Sequence, residues 1–164
     1  MGMRWRAAIL TASDRGARGE RESTSALVIR ELVEEELRGE IVDDRVVPDE
    51  LYEIMAALIE MTDYHRADLI LTTGGSGLGP RDVTPEALKQ VVDREVPGFG
   101  ERIRSALAAK NMPSSTFVGT AGLRGSTLIV NLPGSPEGVG TGMLAIMNDL
   151  AAALAAISGE EEGA

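Results

Sequence analysis

Short, unbroken apolar runs punctuate the chain at Ala7-Ala8-Ile9-Leu10, Val46-Val47, Leu69-Ile70-Leu71 and Leu128-Ile129-Val130. Between them lie longer segments whose apolar residues return at helical spacing. Ile29, Leu32, Val33 and Leu37 share one such face, and Leu51, Ile54, Met55, Leu58, Ile59 and Thr62 share another. Strands that are apolar throughout are buried on both sides, so the alternation predicts an α/β fold with a mostly parallel sheet covered by helices on both faces.

Helix starts are legible too. Thr84-Pro85-Glu86 and Ser135-Pro136-Glu137 each read as a capping hydroxyl, a proline at the first helical position and an acid in the first turn, and each follows a glycine-containing loop. The last helix packs Met143, Ile146, Met147, Leu150 and Leu154 and is expected to end at Ser158-Gly159. Pro97-Gly98 separates two central helices, and Ser114 to Gly125 leaves room for a further strand and a turn. With 164 residues and no internal repeat, the chain reads as a single domain over 1–158 with an acidic, disordered tail at 159–164.

Composition then removes chemistries. The absence of cysteine excludes disulfides and thiolate metal sites and makes the cytoplasm the expected address. His65 is the one histidine, too few for a zinc site, and its place near the end of a polar helix suits an imidazole facing terminal carbonyls. A net charge of -10 without a basic stripe argues against nucleic acid. Met1 to Trp5 lacks the pattern of a signal peptide, and Asn148 and Asp149 interrupt the most apolar helix, so no membrane span is expected. Glu34-Glu35-Glu36 reads as a solvated face, and the scattered methionines read as core filler.

The carboxyl ends of parallel strands share one sheet edge, where open α/β sheets bind ligands. Ser13-Asp14-Arg15, Pro48-Asp49-Glu50, Thr72-Thr73-Gly74-Gly75-Ser76-Gly77 and Asn131-Leu132-Pro133-Gly134-Ser135 should therefore point the same way. Glycines in the third of these loops allow successive N–H groups to close on phosphate oxygens, with Ser76 adding a hydroxyl. Neither familiar glycine motif fits. A P-loop needs lysine after its last glycine, where Pro80-Arg81 follows Gly79, and Pro80 also stands where a dinucleotide fingerprint needs its third glycine.

Asp49 and Asp82 should overhang the same crevice. A carboxylate 4 Å from a phosphate charge is repelled by about 1 kcal/mol in water and about 4 kcal/mol in a protein site, and a bound Mg²⁺ reverses that sign. Local alternatives stay open, with Asp49 capping the helix after Pro48 and Asp82 serving as a turn residue beside Thr84.

The string Thr72-Thr73-Gly74-Gly75-Ser76-Gly77 leading into Pro80-Arg81-Asp82-Val83-Thr84-Pro85-Glu86-Ala87 resembles the signature of the molybdopterin-binding family. Ser13-Asp14-Arg15, Val47-Pro48-Asp49-Glu50, Asn131-Leu132-Pro133-Gly134 and the stretch Asp93 to Glu101 agree in order and spacing, so the resemblance covers about Arg6 to Leu150. A free-standing domain of this length is similar to the MogA/MoaB type, whose members transfer AMP from ATP to the terminal phosphate of molybdopterin, releasing pyrophosphate before metal insertion. The resemblance implies a three-layer α/β/α sandwich, Mg²⁺ dependence with ATP as co-substrate, and a homotrimer or a pair of trimers that passes its product to a metal-insertion protein. It makes Asp49 and Asp82 the catalytic, metal-holding carboxylates. It also lines the substrate pocket with Thr73, Gly74, Gly75, Ser76 and Gly77 on one side and Asn131, Pro133, Gly134 and Ser135 on the other. Ser13, Asp14 and Arg81 complete the set, Asp14 more weakly, with Arg81 either pairing with phosphate or bracing the loop from outside.

Ser76 stands where many members carry threonine, which keeps the hydroxyl, and Gly138-Val139-Gly140-Thr141-Gly142 holds more glycine than a good helix start. Two rival readings are a molybdopterin-binding protein without adenylyl transfer and a nucleotide-dependent oxidoreductase. The paired aspartates favour transfer over the first, and the misfit from Gly75 to Arg81 disfavours the second.

Overall fold

The computed structural model describes residues 5–159. Met1 to Arg4 and the acidic stretch 160–164 lie outside the described residues, and with them the expectations for the chain start and the tail.

In chain order the elements are β1 (Trp5–Ala12), α1 (Asp14–Ala17), α2 (Thr24–Leu32) continued by a π-helical turn (Val33–Leu37), β2 (Gly39–Val47), α3 (Leu51–Asp63), β3 (Leu69–Thr73), α4 (Thr84–Val91), β4 (Arg94–Glu95), α5 (Gly98–Ala109), β5 (Ala121–Arg124), β6 (Thr127–Leu132) and α6 (Pro136–Ile157). The sheet runs β2-β1-β3-β6-β5-β4. β2, β1, β3 and β6 are parallel, and β5 and β4 close one edge antiparallel.

Alternation along the central strands divides the core into two layers. Ala7, Ile9, Leu69, Leu71, Leu128 and Val130 face one side and meet α2, α5 and α6. Ala8, Leu10, Ile70 and Ile129 face the other and meet α3 and α4. The result is the expected three-layer α/β/α sandwich.

Differences from the sequence expectation have local causes. β2 reaches back to Gly39, well before Val46, because it is an edge strand with Glu40 and Asp44 exposed, so no apolar run marks its first half. β4 has two exposed residues and no hydrophobic signal. The π-helical turn keeps Val33 and Leu37 buried while Glu34, Glu35 and Glu36 face solvent, and Arg38 at φ 57° ends it. At α4 the cap residue is Val83, without a side-chain hydrogen bond, so Thr84 is the first helical residue rather than the cap.

α6 is long and apolar enough by length and composition to cross a membrane, yet Val139, Met143, Ile146, Leu150 and Leu154 are buried in the domain core. Its glycine-rich start is helical from Pro136 onward. A Cβ on Gly138 would come within 2.8 Å of the Pro133 side chain and one on Gly142 within 3.2 Å of Ile103, so close packing requires both glycines. Gly140 meets nothing within 4 Å. Gly140→Ala should therefore raise unfolding free energy by about 0.5–1 kcal/mol in urea titration, by restricting the unfolded chain and favouring helix.

Candidate active site

β2 lies on one side of β1 and β3 on the other, so the connections diverge at the carboxyl ends of β1 and β3, the switch point where such sheets bind ligands. The loops after β1, β2, β3 and β6 all reach this edge, as the parallel pairing requires. His65 lies before β3, away from these loops, with Nε2 3.5 Å from Asp43 Oδ2.

Hydroxyl caps shape the rim. Ser13 Oγ accepts from Gly16 N at 3.0 Å, Ser23 Oγ from Ala26 N at 3.1 Å and Ser135 Oγ from Gly138 N at 2.9 Å. These bonds fix where α1, α2 and α6 begin.

Asp14 and Asp49 are locked reciprocally. The Asp14 N–H donates to Asp49 Oδ2 at 2.9 Å, and the Asp49 N–H donates to Asp14 Oδ1 at 3.0 Å. Arg81 donates to Asp14 through both Nε (3.1 Å) and Nη2 (3.0 Å), a two-pronged pair that ties the glycine loop to the loops after β1 and β2. Arg81 thus braces the loop from outside.

The local capping alternative for Asp49 does not hold. Glu50 is the residue at the cap of α3, and the Asp49 carboxylate turns toward Asp14 instead. Asp82 does have a turn role, since its Oδ2 accepts from Gly79 N at 2.8 Å. A Cβ on Gly77 or Gly79 would lie 3.0 Å from the same oxygen, so the loop wraps this carboxylate.

The electrostatics separate the acids. The Arg81 guanidinium, helped by the Asp49 N–H, holds the Asp14 carboxyl below the usual range. Burial pushes the Asp49 carboxyl up, and the negative charges of Asp14 and Asp82 add to that push. A half-buried acid among like charges is a place where a cation is favoured. Asp49 Oδ1 and Asp82 Oδ1 are the carboxylate oxygens not engaged by those backbone bonds. Two carboxylates suit Mg²⁺, which keeps most of its shell for water and phosphate. Among the described residues no group of three or more acids or histidines could hold a metal by itself, so water and phosphate oxygens would complete the coordination.

The glycine loop turns through left-handed conformations at Gly74 (φ 87°) and Gly75 (φ 69°). A side chain on Gly74 would overlap the Ala12 carbonyl oxygen, and one on Gly75 would overlap Thr84 Oγ1. Among the described residues the N–H groups of Gly75, Ser76 and Gly77 make no hydrogen bond, leaving them as donors for an anion.

Several expected ligand contacts are instead spent on the frame. Ser76 is buried and its Oγ donates to Leu132 O at 3.2 Å, while Thr73 Oγ1 donates to Pro133 O at 2.7 Å. Asn131 is fully buried, with Nδ2 donating to Thr72 Oγ1 at 2.9 Å and Oδ1 accepting from Thr120 N at 3.1 Å. Buried polar groups need partners, and these three find them between neighbouring strand ends. They hold Pro133, Gly134 and Ser135 beside the glycine loop.

Two cavities flank Gly134. One of about 240 Å³ is lined by Ser13, Arg21, Ser23, Ser25, Gly74 and Gly134. The other, about 390 Å³, is lined by Ser76, Gly77, Met112, Phe117, Ser135 and Glu137. Sequence reasoning missed both the Arg21–Ser25 wall and the Met112–Phe117 wall. A hydroxyl run at Ser23-Thr24-Ser25, just before the helical face that begins at Ile29, carried a signal for the first. The second wall has no periodicity. It is held by Arg104 Nη1 donating to Gly119 O at 2.9 Å and by the Val118 N–H donating to Ser76 O at 2.9 Å.

Residues 8–153 match a family described as a probable molybdopterin binding domain. The chain is 40% identical over 133 residues to a molybdopterin adenylyltransferase of Helicobacter pylori, covering 80% of this chain and 75% of that one. It is 35% identical over 136 residues to the molybdopterin adenylyltransferase of Escherichia coli, covering 82% and 69%. Among solved structures, the molybdopterin biosynthesis enzyme MoaB of Thermus thermophilus superposes with a TM-score of 0.89 at 44% identity, over 96% of this chain and 98% of that one. A tungsten cofactor synthesizing protein, MoaB of Pyrococcus furiosus, superposes with a TM-score of 0.79 at 36% identity, over 89% and 92%.

Proposed function

The chain belongs to the molybdopterin-binding domain family, and from that premise we propose that it is a molybdopterin adenylyltransferase of molybdenum cofactor biosynthesis, working with ATP and Mg²⁺ at the loops after β1, β2, β3 and β6. The observation that carries the reading is the convergence of a half-buried Asp49, raised by desolvation and by its acidic neighbours, with Asp82 at the mouth of a glycine loop whose N–H groups are open. A site built only to hold an anion gains nothing from carboxylates beside it.

In the proposed reaction a terminal phosphate oxygen of molybdopterin attacks the α-phosphorus of ATP. A new P–O bond forms, the bond to the β-phosphate bridging oxygen breaks, and pyrophosphate leaves. Such a transfer needs positioning and charge neutralisation more than covalent help. Mg²⁺, when bound, neutralises phosphate charge, and Asp49 and Asp82 are the residues that would hold it. The N–H groups of Gly75, Ser76 and Gly77 would grip phosphate oxygens. Arg81, through Asp14, keeps the Asp49 backbone and the glycine loop in fixed relation. A homotrimeric assembly, a cytoplasmic location and hand-over to a metal-insertion protein belong to the same proposal.

Incubating the purified protein with molybdopterin, Mg²⁺ and ATP tests it. Adenylylated pterin and pyrophosphate should form in equal amounts, whereas tight pterin binding without product would sink the transferase reading. Asp82→Asn is expected to keep molybdopterin binding, because an amide oxygen can still accept from Gly79 N–H, while transfer falls on the order of 10- to 100-fold. Full activity in that variant would leave Asp82 with its turn role alone.

A further inference from the structure

Thr84 presents a problem that neither the fold nor the proposed roles resolve. Its position before Pro85 suggests a helix cap, but Val83 occupies the cap and Thr84 lies inside α4. The residue is fully buried, and its Oγ1 has no hydrogen-bond partner. A buried hydroxyl left unmatched is a cost to stability, and it is rare enough in folded proteins to call for a reason.

Its surroundings supply one. Thr84 is tied to the glycine loop by its N–H, which donates to Gly75 O at 3.0 Å. Its Oγ1 occupies the space a side chain on Gly75 would fill, and Asp49 Oδ1 lies 3.4 Å from that same point. The other Asp49 oxygen, Oδ2, is already taken by the Asp14 N–H. An unmatched donor and a carboxylate oxygen outside the Asp14 lock therefore border one small space beside Gly75.

We infer that Thr84 is a positioning residue whose hydroxyl donates to Asp49 Oδ1 when nucleotide is bound, holding the carboxylate in the orientation that transfer requires. Glycine at 75 is what keeps the space between the two groups open. The role rests on the adenylyl-transfer reading. It uses the hydroxyl that the sequence assigns to a cap and that the structure leaves over.

Thr84→Val and Thr84→Ser test this alongside wild type, by thermal unfolding, by kcat and KM for both substrates, and by calorimetric affinity for Mg-ATP. Valine keeps the shape and removes the unmatched hydroxyl, so Thr84→Val should melt at the same temperature as wild type or higher. Its kcat should nevertheless fall about 10-fold, as for the loss of one hydrogen bond to a charged group, with KM for molybdopterin unchanged and Mg-ATP bound more weakly. Thr84→Ser should restore kcat and Mg-ATP affinity.

Wild-type kcat in Thr84→Val would overturn the inference and make the hydroxyl a spare group. A lower melting temperature in Thr84→Val would overturn it too, by showing that the hydroxyl serves the fold, as would a Thr84→Ser variant no better than Thr84→Val. If wild type itself makes no adenylylated product, the transfer reading fails separately. The Mg-ATP affinities, weakened by valine and kept by serine, then still decide on Thr84.

Discussion

Asp49→Asn should abolish most adenylyl transfer, on the order of 10³-fold in kcat, and at neutral pH it should make the protein harder to unfold. The first expectation follows from the proposed role, since an amide cannot neutralise a cation and sites lose about this much when a charge-stabilising group is removed. The second follows from burial. Asp49 is held above its ordinary value of 3.8 by desolvation first and then by Asp14 and Asp82. For an acid raised in the folded state, the folded protein holds the proton more tightly, so stability falls as pH climbs from the ordinary value through the raised one. Above that window the ionised group is a constant cost, which asparagine removes. The melting temperature of Asp49→Asn should therefore exceed that of wild type at pH 7, and the gap should close below the ordinary value. The amide can still accept from the Asp14 N–H, so the lock between the loops after β1 and β2 survives. A variant both inactive and less stable at pH 7 would show Asp49 to be structural.

Much of this arrangement is legible in the sequence. Buried parallel strands carry no polar face, so β1, β3 and β6 stand out as apolar runs, and their shared direction gathers four loops at one edge whatever their details. Edge and antiparallel strands lack that mark, and β2 before Val46 and the two-residue β4 are hidden for that reason. Within the site, residue type indicated that a side chain was polar but not which way it faced. Ser76, Thr73 and Asn131 are as polar as any ligand-binding residue, yet each is buried and satisfied by a neighbouring strand end or carbonyl. Thr84 is the converse, since its sequence context explains it fully as a cap and the backbone geometry takes that explanation away. The Asp14–Arg81 pair was equally hidden. Its partners are 67 positions apart, and only the switch at β1 and β3 brings them together.

Gly74→Ala should be the most damaging single methyl group in the molecule, costing about 3 kcal/mol of stability and most of the capacity to bind molybdopterin. Two independent effects add here. At φ 87° a residue with a side chain is strained by about 1–2 kcal/mol. The new Cβ would also overlap the carbonyl oxygen of Ala12, a backbone atom at the end of the central strand β1 that cannot swing aside as a flexible side chain could. Relief must come from moving the glycine loop away from β1, and that motion opens the cavity bordered by Ser13, Gly74 and Gly134. It also carries Ser76 and Thr73 away from the carbonyls of Leu132 and Pro133, so the strain spreads to the facing wall. Gly140→Ala is the matched control, because the same added methyl group meets open space on a helix. Urea unfolding should move the two variants in opposite directions, and calorimetry should show molybdopterin binding lost in Gly74→Ala alone. Equal stability for both would mean that the close approach of Gly74 to β1 contributes nothing to holding the site.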